Sequence, residues 1–193
     1  LGALEMMRDT PLNRTQSRYL ETANSSAEVL LTVIDEILDF SRLEAGKLRI
    51  EMLDFDPRKA VEDVIAMLSQ PAFDKHLELA SYIEPDVPDR LKGDPVRLRQ
   101  ILINLVGNAV KFTDSGQVTL RALRLDTPSA AAHPTPQALL RFEVEDTGVG
   151  IAPEQQERLF KPFEQVGDLS RRSEGTGLGL SIVHGIVEEH GGW

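Results

Sequence analysis

Residues 104–113 read Asn104-Leu-Val-Gly-Asn108-Ala-Val-Lys111-Phe-Thr113, and two glycine-rich stretches follow them in the chain. Those stretches are Asp146-Thr-Gly148-Val-Gly150-Ile151 and Gly175-Thr176-Gly177-Leu178-Gly179. Each stretch alone is a weak signal, because glycine, asparagine and aspartate are common in turns. Together they lie within about 75 residues, which one domain can bring to a single place. The ordered set indicates a nucleotide site with a metal-holding helix, a base-reading carboxylate and a phosphate-cradling loop.

The first stretch is predicted to lie on a helix that begins after Asp94, with Pro95 at the first helical position. Its apolar face is formed by Leu98, Ile101, Leu102, Leu105, Ala109 and Phe112. Its polar face carries Arg97, Gln100, Asn104, Asn108 and Lys111 at spacings of three and four. Mg²⁺ prefers oxygen ligands and takes few from protein, so an amide oxygen near a lysine suits it. A solvated helix face is an equally acceptable interpretation of this stretch alone.

The second stretch follows a predicted strand over residues 138–145, in which Leu140, Phe142 and Val144 alternate toward the sheet interior. Asp146 therefore arrives at the strand's end, where a carboxylate accepts a hydrogen bond from an exocyclic amine such as that of adenine. Gly148 and Gly150 let the backbone approach a base closely and adopt positive φ. A simple turn between strand and helix explains the stretch alone equally well.

The third stretch precedes an apolar-periodic helix that runs to about Glu189. Free N–H groups at a helix start, together with the helix dipole, favour phosphate. The preceding segment, residues 161–174, is predicted to be a mobile lid. Arg171 and Arg172 are candidates to reach phosphate, and a solvated position is the favoured interpretation for at least one of them. Phe160 and Phe163 are candidates to anchor this lid, and ordinary core packing is the competing interpretation.

The N-terminal part has a different pattern, because Arg14 to Leu43 is helical and heptad-like. Its apolar stripe consists of Leu20, Ala23, Ala27, Leu30, Leu31, Ile34, Ile37 and Leu38. A stripe on a helix of about 30 residues needs another helix to cover it. We predict an antiparallel hairpin in which residues 1–7 are the end of the partner helix, and which dimerises into a four-helix bundle. A plain helical core segment remains the alternative.

Beyond Gly46, which ends the long helix, the pattern alternates between helices and strands. We predict a helix from Pro57 to about Phe73, a strand over residues 77–83, a strand over residues 117–125 and a short helix from Pro153 to about Phe160. Residues 126–136 are predicted to be a hairpin loop without chemistry. The predicted fold class is α+β: a partial helical hairpin, residues 1–46, followed by an α/β sandwich, residues 47–193.

Composition excludes several functions. The 193 residues carry a formal net charge of −10, which argues against binding nucleic acid or an anionic membrane surface. The absence of cysteine excludes disulfides and thiolate zinc sites. No apolar run approaches the roughly 20 residues of a membrane-spanning helix. The four histidines, His76, His133, His184 and His190, show neither metal-ligand spacing nor the arrangement of a catalytic triad.

These motifs resemble the kinase core of a bacterial two-component sensor histidine kinase, over essentially the whole chain. Residues 104–113 are similar to that family's N box, 146–151 to its G1 box, 160–163 to its F box and 175–179 to its G2 box. Residues 39–48 resemble the exit of its second dimerisation helix. The residues of these boxes and the spacing between them resemble those of the hybrid subgroup, whose members often carry a receiver domain further along the chain.

The resemblance implies an ATP-binding sandwich of the kind shared with gyrase, Hsp90 and MutL, with ATP and Mg²⁺ as cofactors. Asn108 would bind Mg²⁺, Lys111 would approach phosphate and Asp146 would read adenine. Further implied ATP contacts are Gly148, Gly150, Ile151, Phe160, Gly175, Thr176, Gly177, Leu178 and Gly179. Gyrase-like ATPases carry a water-activating glutamate where this chain has Asn104. Transfer to a side chain is therefore favoured over hydrolysis, with Asn104 and Lys111 as the catalytic residues.

The resemblance also implies a homodimer through the hairpin, a response-regulator receiver domain as partner, and a cytoplasmic location without direct membrane contact. The family's phospho-accepting histidine lies before the stretch that matches residues 1–7, and its usual last strand follows the position of Trp193. We therefore expect a fragment that binds ATP and cannot phosphorylate itself on the usual residue. The alternative is a catalytically silent module that regulates another histidine kinase by heterodimerisation. A gyrase-like ATPase is disfavoured by Asn104.

Overall fold

The structure is a computed structural model that describes residues 2–125, 138–165 and 175–192, without the side chain of Glu5. Its elements are α1 (Gly2–Arg8), α2 (Arg14–Glu44), β1 (Leu53–Phe55), α3 (Pro57–Asp74), β2 (Glu78–Ile83), β3 (Leu91–Gly93), α4 (Pro95–Phe112), β4 (Gln117–Leu125), β5 (Leu139–Asp146), α5 (Pro153–Gln156) and α6 (Gly179–Glu189). The predicted hairpin loop, His133, Arg171, Arg172 and most of the predicted lid lie outside the described residues.

Helices α1 and α2 form the predicted hairpin. Asn13 begins α2 with a reciprocal capping box: its side chain accepts from the Gln16 backbone N–H at 2.9 Å, and the Gln16 side chain accepts from the Asn13 N–H at 2.9 Å. The helix ends before Gly46, whose φ of +59° is the left-handed conformation that glycine adopts without strain. The prediction of one long helix is confirmed, and the helix extends one residue beyond the expected end.

The apolar stripe of α2 is largely exposed. Leu20 is the buried residue of this helix, whereas Leu30 is 60% and Ile37 46% exposed. Nothing within the described part of the chain covers the middle of this helix. The predicted partner helix in the chain, α1, has only seven residues and is too short to do so.

The α/β part contains a three-stranded sheet in the order β2-β4-β5, in which β2 runs parallel and β5 antiparallel to β4. Helices α3 and α4 pack together against this sheet. Buried side chains alternate along β4 at Val118, Leu120 and Ala122, as expected for a strand with one covered face. A helical hairpin is followed by an α/β sandwich, which confirms the predicted fold class.

A second, two-stranded sheet pairs β1 with β3 in antiparallel fashion. Neither strand was predicted, because three residues each are too few to show an alternating pattern. This small sheet precedes α4, whose N-cap Asp94 is 6% exposed. Asp94 accepts from the backbone N–H groups of Val96 at 3.1 Å and Arg97 at 3.0 Å, and from that of Glu51 at 3.1 Å. One carboxylate therefore fixes both the helix start and the linker after α2.

Two apolar clusters hold the described part of the chain together. The main cluster joins α3, α4 and the sheet through residues that include Val64, Leu102, Val106, Val118 and Leu120. The second cluster consists of Leu48, Leu178, Ile182 and Ile186, with Phe40, Leu43, Ile50 and Ile101 packed against them. Because this second cluster takes residues from α2, α4 and α6, the end of the long helix packs on the α/β part.

One helix prediction needs correction. The helix at Pro153 ends at Gln156 and not near Phe160, since the chain continues in turns with bonds from Arg158 N–H to Gln155 C=O and from Lys161 N–H to Arg158 C=O. Pro162 disfavours helical geometry in the residue before it. The prediction of the final helix is confirmed: it begins at Gly179, the last residue of the glycine stretch, and ends at Glu189. Among the described helices, none has the length and hydropathy that crossing a bilayer requires.

Candidate nucleotide-binding site

The polar face of α4 brings two asparagines into contact. The Asn108 side-chain amide donates to the Asn104 carbonyl oxygen at 3.1 Å, as residues one helical turn apart can do. This bond uses the amide nitrogen of Asn108, so its amide oxygen is the atom left to ligate a cation. Both side chains are half-buried, which holds them in place on the helix.

The glycine stretch 175–179 lies along this same face of α4. A Cβ at Gly179 would stand 2.4 Å from the Asn104 amide nitrogen, so any larger residue there would displace the Asn104 side chain. A Cβ at Gly175 would stand 3.5 Å from the Lys111 ammonium, which places that charge beside the start of the loop. The fold thus brings together two motifs that are separated by some 60 residues in sequence.

The segment after α5 supports the glycine stretch from the other side. The Phe163 N–H donates to the Gly177 carbonyl at 3.0 Å, and a Cβ at Gly177 would lie 2.8 Å from the Phe163 carbonyl carbon. Gly177 has φ +75° and Phe163 itself has φ +62°. Phe163 was predicted to anchor the lid or to pack in the core through its ring, and in the structure its backbone also shapes the glycine stretch.

The turn after β5 packs on the C-terminal end of α4. Asp146 stands at the end of β5, as predicted, and one carboxylate oxygen accepts from the Gly148 N–H at 2.8 Å. A Cβ at Gly148 would lie 2.7 Å from the Phe112 carbonyl oxygen, so glycine permits this close approach. Thr147 ties the turn to β4, because its hydroxyl oxygen accepts from the Gln117 N–H at 3.0 Å. The second oxygen of Asp146 is left to accept a hydrogen bond from a ligand.

Three other predicted site residues lie apart from this cluster. Gly150 has φ +68° with open space around it, and Ile151 is 44% exposed. The Phe160 ring packs against His184 of α6, with 5.4 Å between ring centroids, and lines a cleft with Phe40 of α2. Their assignment to the nucleotide site stays a prediction.

Comparisons with known proteins agree with this arrangement. Residues 93–193 match the family described as histidine kinase-, DNA gyrase B- and HSP90-like ATPase, and residues 1–46 match the His Kinase A phospho-acceptor domain. The chain belongs to the sensor histidine kinases. This membership explains why a helical hairpin precedes the sandwich and why the glycine stretches stand in this order.

The kinase core is similar to several named proteins. It is 46% identical over 192 residues to the sensory/regulatory protein RpfC of Xanthomonas campestris pv. campestris, covering 99% of this chain and 26% of RpfC. It is 42% identical over 193 residues to the signal transduction histidine-protein kinase BarA of Escherichia coli, covering 100% of this chain and 20% of BarA. The chain thus spans about a quarter or less of the length of these relatives.

Solved structures share the fold. Full-length ShkA in complex with AMPPNP superposes with a TM-score of 0.78 at 33% identity, over 99% of this chain and 37% of that chain. The catalytic domain of the histidine kinase ThkA gives a TM-score of 0.56 at 27% identity, over 72% of this chain and 83% of that chain. The first of these covers both the hairpin and the sandwich.

Lys75 is a positioning residue of this kinase core that was not predicted from the sequence. Lys75 donates from its ammonium to the carbonyl oxygens of Val110 at 2.9 Å, Lys111 at 2.6 Å and Thr113 at 3.2 Å. A cation at a helix C-terminus is favourable, and here it fixes the end of the helix that carries the site. The contact joins residues 35 to 38 positions apart, so no local pattern could reveal it.

The polar residues at the start of α4 contact the long helix and not the glycine stretch. Arg97 donates to an Asp39 carboxylate oxygen at 2.9 Å, and Gln100 donates to the same oxygen at 2.7 Å. The Arg97 and Asp39 side chains are 16% and 14% exposed, so the ion pair is largely shielded from water. The spacing of polar residues along α4 correctly placed Arg97 and Gln100 on its polar face. Only the fold shows that α2 covers them.

The site suits a magnesium ion held mainly by phosphate. Within residues 2–125, 138–165 and 175–192, no three His, Cys, Asp or Glu side chains cluster to hold a metal by themselves. A single amide oxygen from Asn108 is the sort of limited protein contribution that Mg²⁺ accepts when phosphates and waters complete its shell. The donor set therefore fits the cofactor that the family implies.

Proposed function

We propose that this chain is the catalytic core of a sensor protein-histidine kinase, which binds Mg-ATP and transfers the γ-phosphoryl group to a histidine. The contact between Asn104 on α4 and Gly179 of the glycine stretch carries the proposal, since it assembles a metal-ligating face and a phosphate loop from distant segments. Family membership and the likeness to AMPPNP-bound ShkA support it.

In this proposal each segment takes one part of the nucleotide. Asp146 accepts from the adenine amino group, the N–H groups of residues 175–179 hold the phosphates, and Lys111 offsets their negative charge. Asn108 holds Mg²⁺, which when bound neutralises phosphate charge and fixes its orientation. Catalysis then comes mainly from positioning and from charge stabilisation, as in other phosphoryl transfers.

Asn104 directs the chemistry away from hydrolysis. Its amide oxygen accepts from Asn108, and an amide has no basic group that would take a proton from water. An attacking side chain brought in from elsewhere suits this site better than an activated water. We place the acceptor histidine before residue 1, as the family resemblance implies, and the onward acceptor on a response-regulator receiver domain.

We further propose how the chain is organised. We divide the chain at residues 46 and 47 into a hairpin segment and an ATP-binding segment. The exposed stripe on α2 is the surface through which two copies pair. The parent protein holds this core in the cytoplasm, without direct membrane contact.

The test is a calorimetric titration of the chain with Mg²⁺ and AMPPNP. Asn108→Ala is expected to lower the affinity at least about tenfold, since it removes the cation ligand. Asn24→Ala is the matched control, because Asn24 also donates to a side chain one turn away, Glu28 at 2.7 Å, but on α2. Equal affinities for Asn108→Ala and the unmodified chain would contradict the assignment. No binding by the unmodified chain would remove the proposed function and favour the silent interaction module.

A further inference from the structure

A carboxylate from the long helix contacts the glycine stretch. The Thr176 hydroxyl donates to Glu36 of α2, across 140 residues of sequence. The same Thr176 oxygen accepts from the Leu178 N–H at 3.1 Å, directly before α6 begins at Gly179. Glu36 therefore places a negative charge at the start of a helix, where the exposed N–H groups and the dipole favour anions.

This contact is one of a series spaced along one side of α2. The Asp39 carboxylate accepts from Arg97 and Gln100. The Phe40 ring packs edge-on against that of Phe163, with ring centroids 5.9 Å apart. The Leu43 side chain packs against Gly185, where an added Cβ would lie 3.0 Å from the Leu43 methyl carbons. The series covers two helical turns. It holds the glycine stretch and the start of α6 against the long helix.

We propose that Glu36 lowers the affinity of the docked kinase core for ATP by occupying the phosphate loop as an anion. The inference rests on the nucleotide site proposed above. Phosphates entering between residues 175–179 and α4 come close to this carboxylate, and like charges at such separations repel in a half-buried setting. The nucleotide therefore binds more weakly while α2 is docked. By linkage, it also weakens the docking of α2 by the same factor.

The first test compares AMPPNP affinity, with Mg²⁺, for the unmodified chain and two glutamine variants. Glu36→Gln keeps a side-chain oxygen for Thr176 and removes the charge, so binding is expected to tighten about fivefold. Glu28→Gln is the control: it removes the same charge from an exposed position on α2, about 12 Å along the helix, where salt screens it. Its affinity is expected to equal that of the unmodified chain.

A second test fixes the docked arrangement. The chain contains no cysteine, so Leu43→Cys with Gly185→Cys introduces one defined disulfide between α2 and α6. The oxidised form is expected to bind AMPPNP about fivefold more weakly than the reduced form, because α2 can no longer move away. Adding Glu36→Gln is expected to abolish that difference.

The outcomes separate the two proposals. Equal affinities for Glu36→Gln and the unmodified chain, or weaker binding by Glu36→Gln, would overturn the inference and leave the nucleotide site standing. A similar gain from Glu28→Gln would also overturn it, since net charge alone would then explain the effect. No binding by any variant would remove the proposed function itself.

Discussion

Helices α2 and α4 carry the same kind of apolar stripe, but the stripe is buried in α4 and largely exposed in α2. In α4, Leu102 and Val106 are fully buried, whereas in α2 Leu30 and Ile34 are 60% and 43% exposed. Helix α4 packs against both α3 and the sheet, so its stripe is covered within the chain. The comparison shows that periodicity identifies the face of a helix that needs cover, and that the surrounding fold decides whether the same chain provides it.

The length of α2 explains the difference. At 1.5 Å per residue, the 31 residues of α2 span about 46 Å, whereas the 18 residues of α4 span about 27 Å. Among the described residues, those of α2 that join an apolar cluster with the α/β part are Phe40 and Leu43, in its C-terminal turns. The middle of its stripe is therefore exposed in this chain, as the proposed pairing of two copies requires.

The largest contrast is expected from leucine truncations. Leu102→Ala in α4 opens a cavity in the main core and is expected to lower the free energy of unfolding by about 3 kcal/mol. Leu31→Ala in α2 removes a side chain that is 45% exposed, so the loss in the monomer is expected to stay below about 0.5 kcal/mol. Urea denaturation at low protein concentration measures both. Equal losses would show that α2 is covered in the monomer.

A charge introduced into the apolar stripe of α2 tests the proposal that a second copy of the chain covers it. If a second copy packs there, Ile34→Glu buries an unpaired carboxylate in the interface and is expected to weaken dimerisation about 100-fold. Thr32→Glu adds the same charge on the opposite side of the helix and is expected to leave the dimer intact. Sedimentation over a range of concentrations gives the dissociation constants. Unchanged association of Ile34→Glu would exclude this stripe as the dimer surface.

The N-terminal caps of α4 and α2 offer a second comparison of the two helices. Asp94→Ala removes a buried cap of α4 and leaves the Glu51 N–H without its acceptor, so a loss of about 2 kcal/mol is expected. Asn13→Ala removes an exposed cap of α2, for which about 1 kcal/mol is expected. Thermal unfolding compares the two. An equal or larger loss from Asn13→Ala would mean that the start of α2 carries more of the fold than its exposure suggests.

The smallest effect concerns Gly107 in the interior of α4. A Cβ there meets nothing within 4 Å, so Gly107→Ala is expected to stabilise the chain by about 0.5–1 kcal/mol through helix propensity alone. Gly179→Ala is the contrasting variant, since its Cβ overlaps Asn104 and is expected to abolish AMPPNP binding. A loss of stability in Gly107→Ala would show that this face of α4 is more closely packed than the structure indicates.

Local signals predicted most of the elements. The Asp-Pro pairs at 56–57 and 94–95 mark the starts of α3 and α4, because a capping carboxylate and a pre-set proline φ act within one turn. Strand β4 was predicted with its observed bounds. The short strands β1 and β3 were missed, since their pairing with each other, across some 40 residues, is what makes them strands.

In the candidate site, too, local spacing predicted some features and not others. Asn104, Asn108 and Lys111 share a helix face by spacing alone, and Asp146 follows from the end of a strand. The neighbours of these residues do not follow from spacing. That Gly179 abuts Asn104, or that Lys75 fixes the end of α4, depends on how distant elements pack.

The sequence by itself determined the helices, the principal strands and the residue types available for nucleotide chemistry, because caps, periodicity and glycine placement act over a few residues. Only the tertiary structure decided that Arg97 and Gln100 contact Asp39 and that Glu36 contacts Thr176. Those contacts join α2 to segments 58 to 140 residues away, and they form because one apolar cluster draws the end of α2 onto α4 and α6. Long-range burial, which no local pattern encodes, thus sets the electrostatic surroundings of the proposed site.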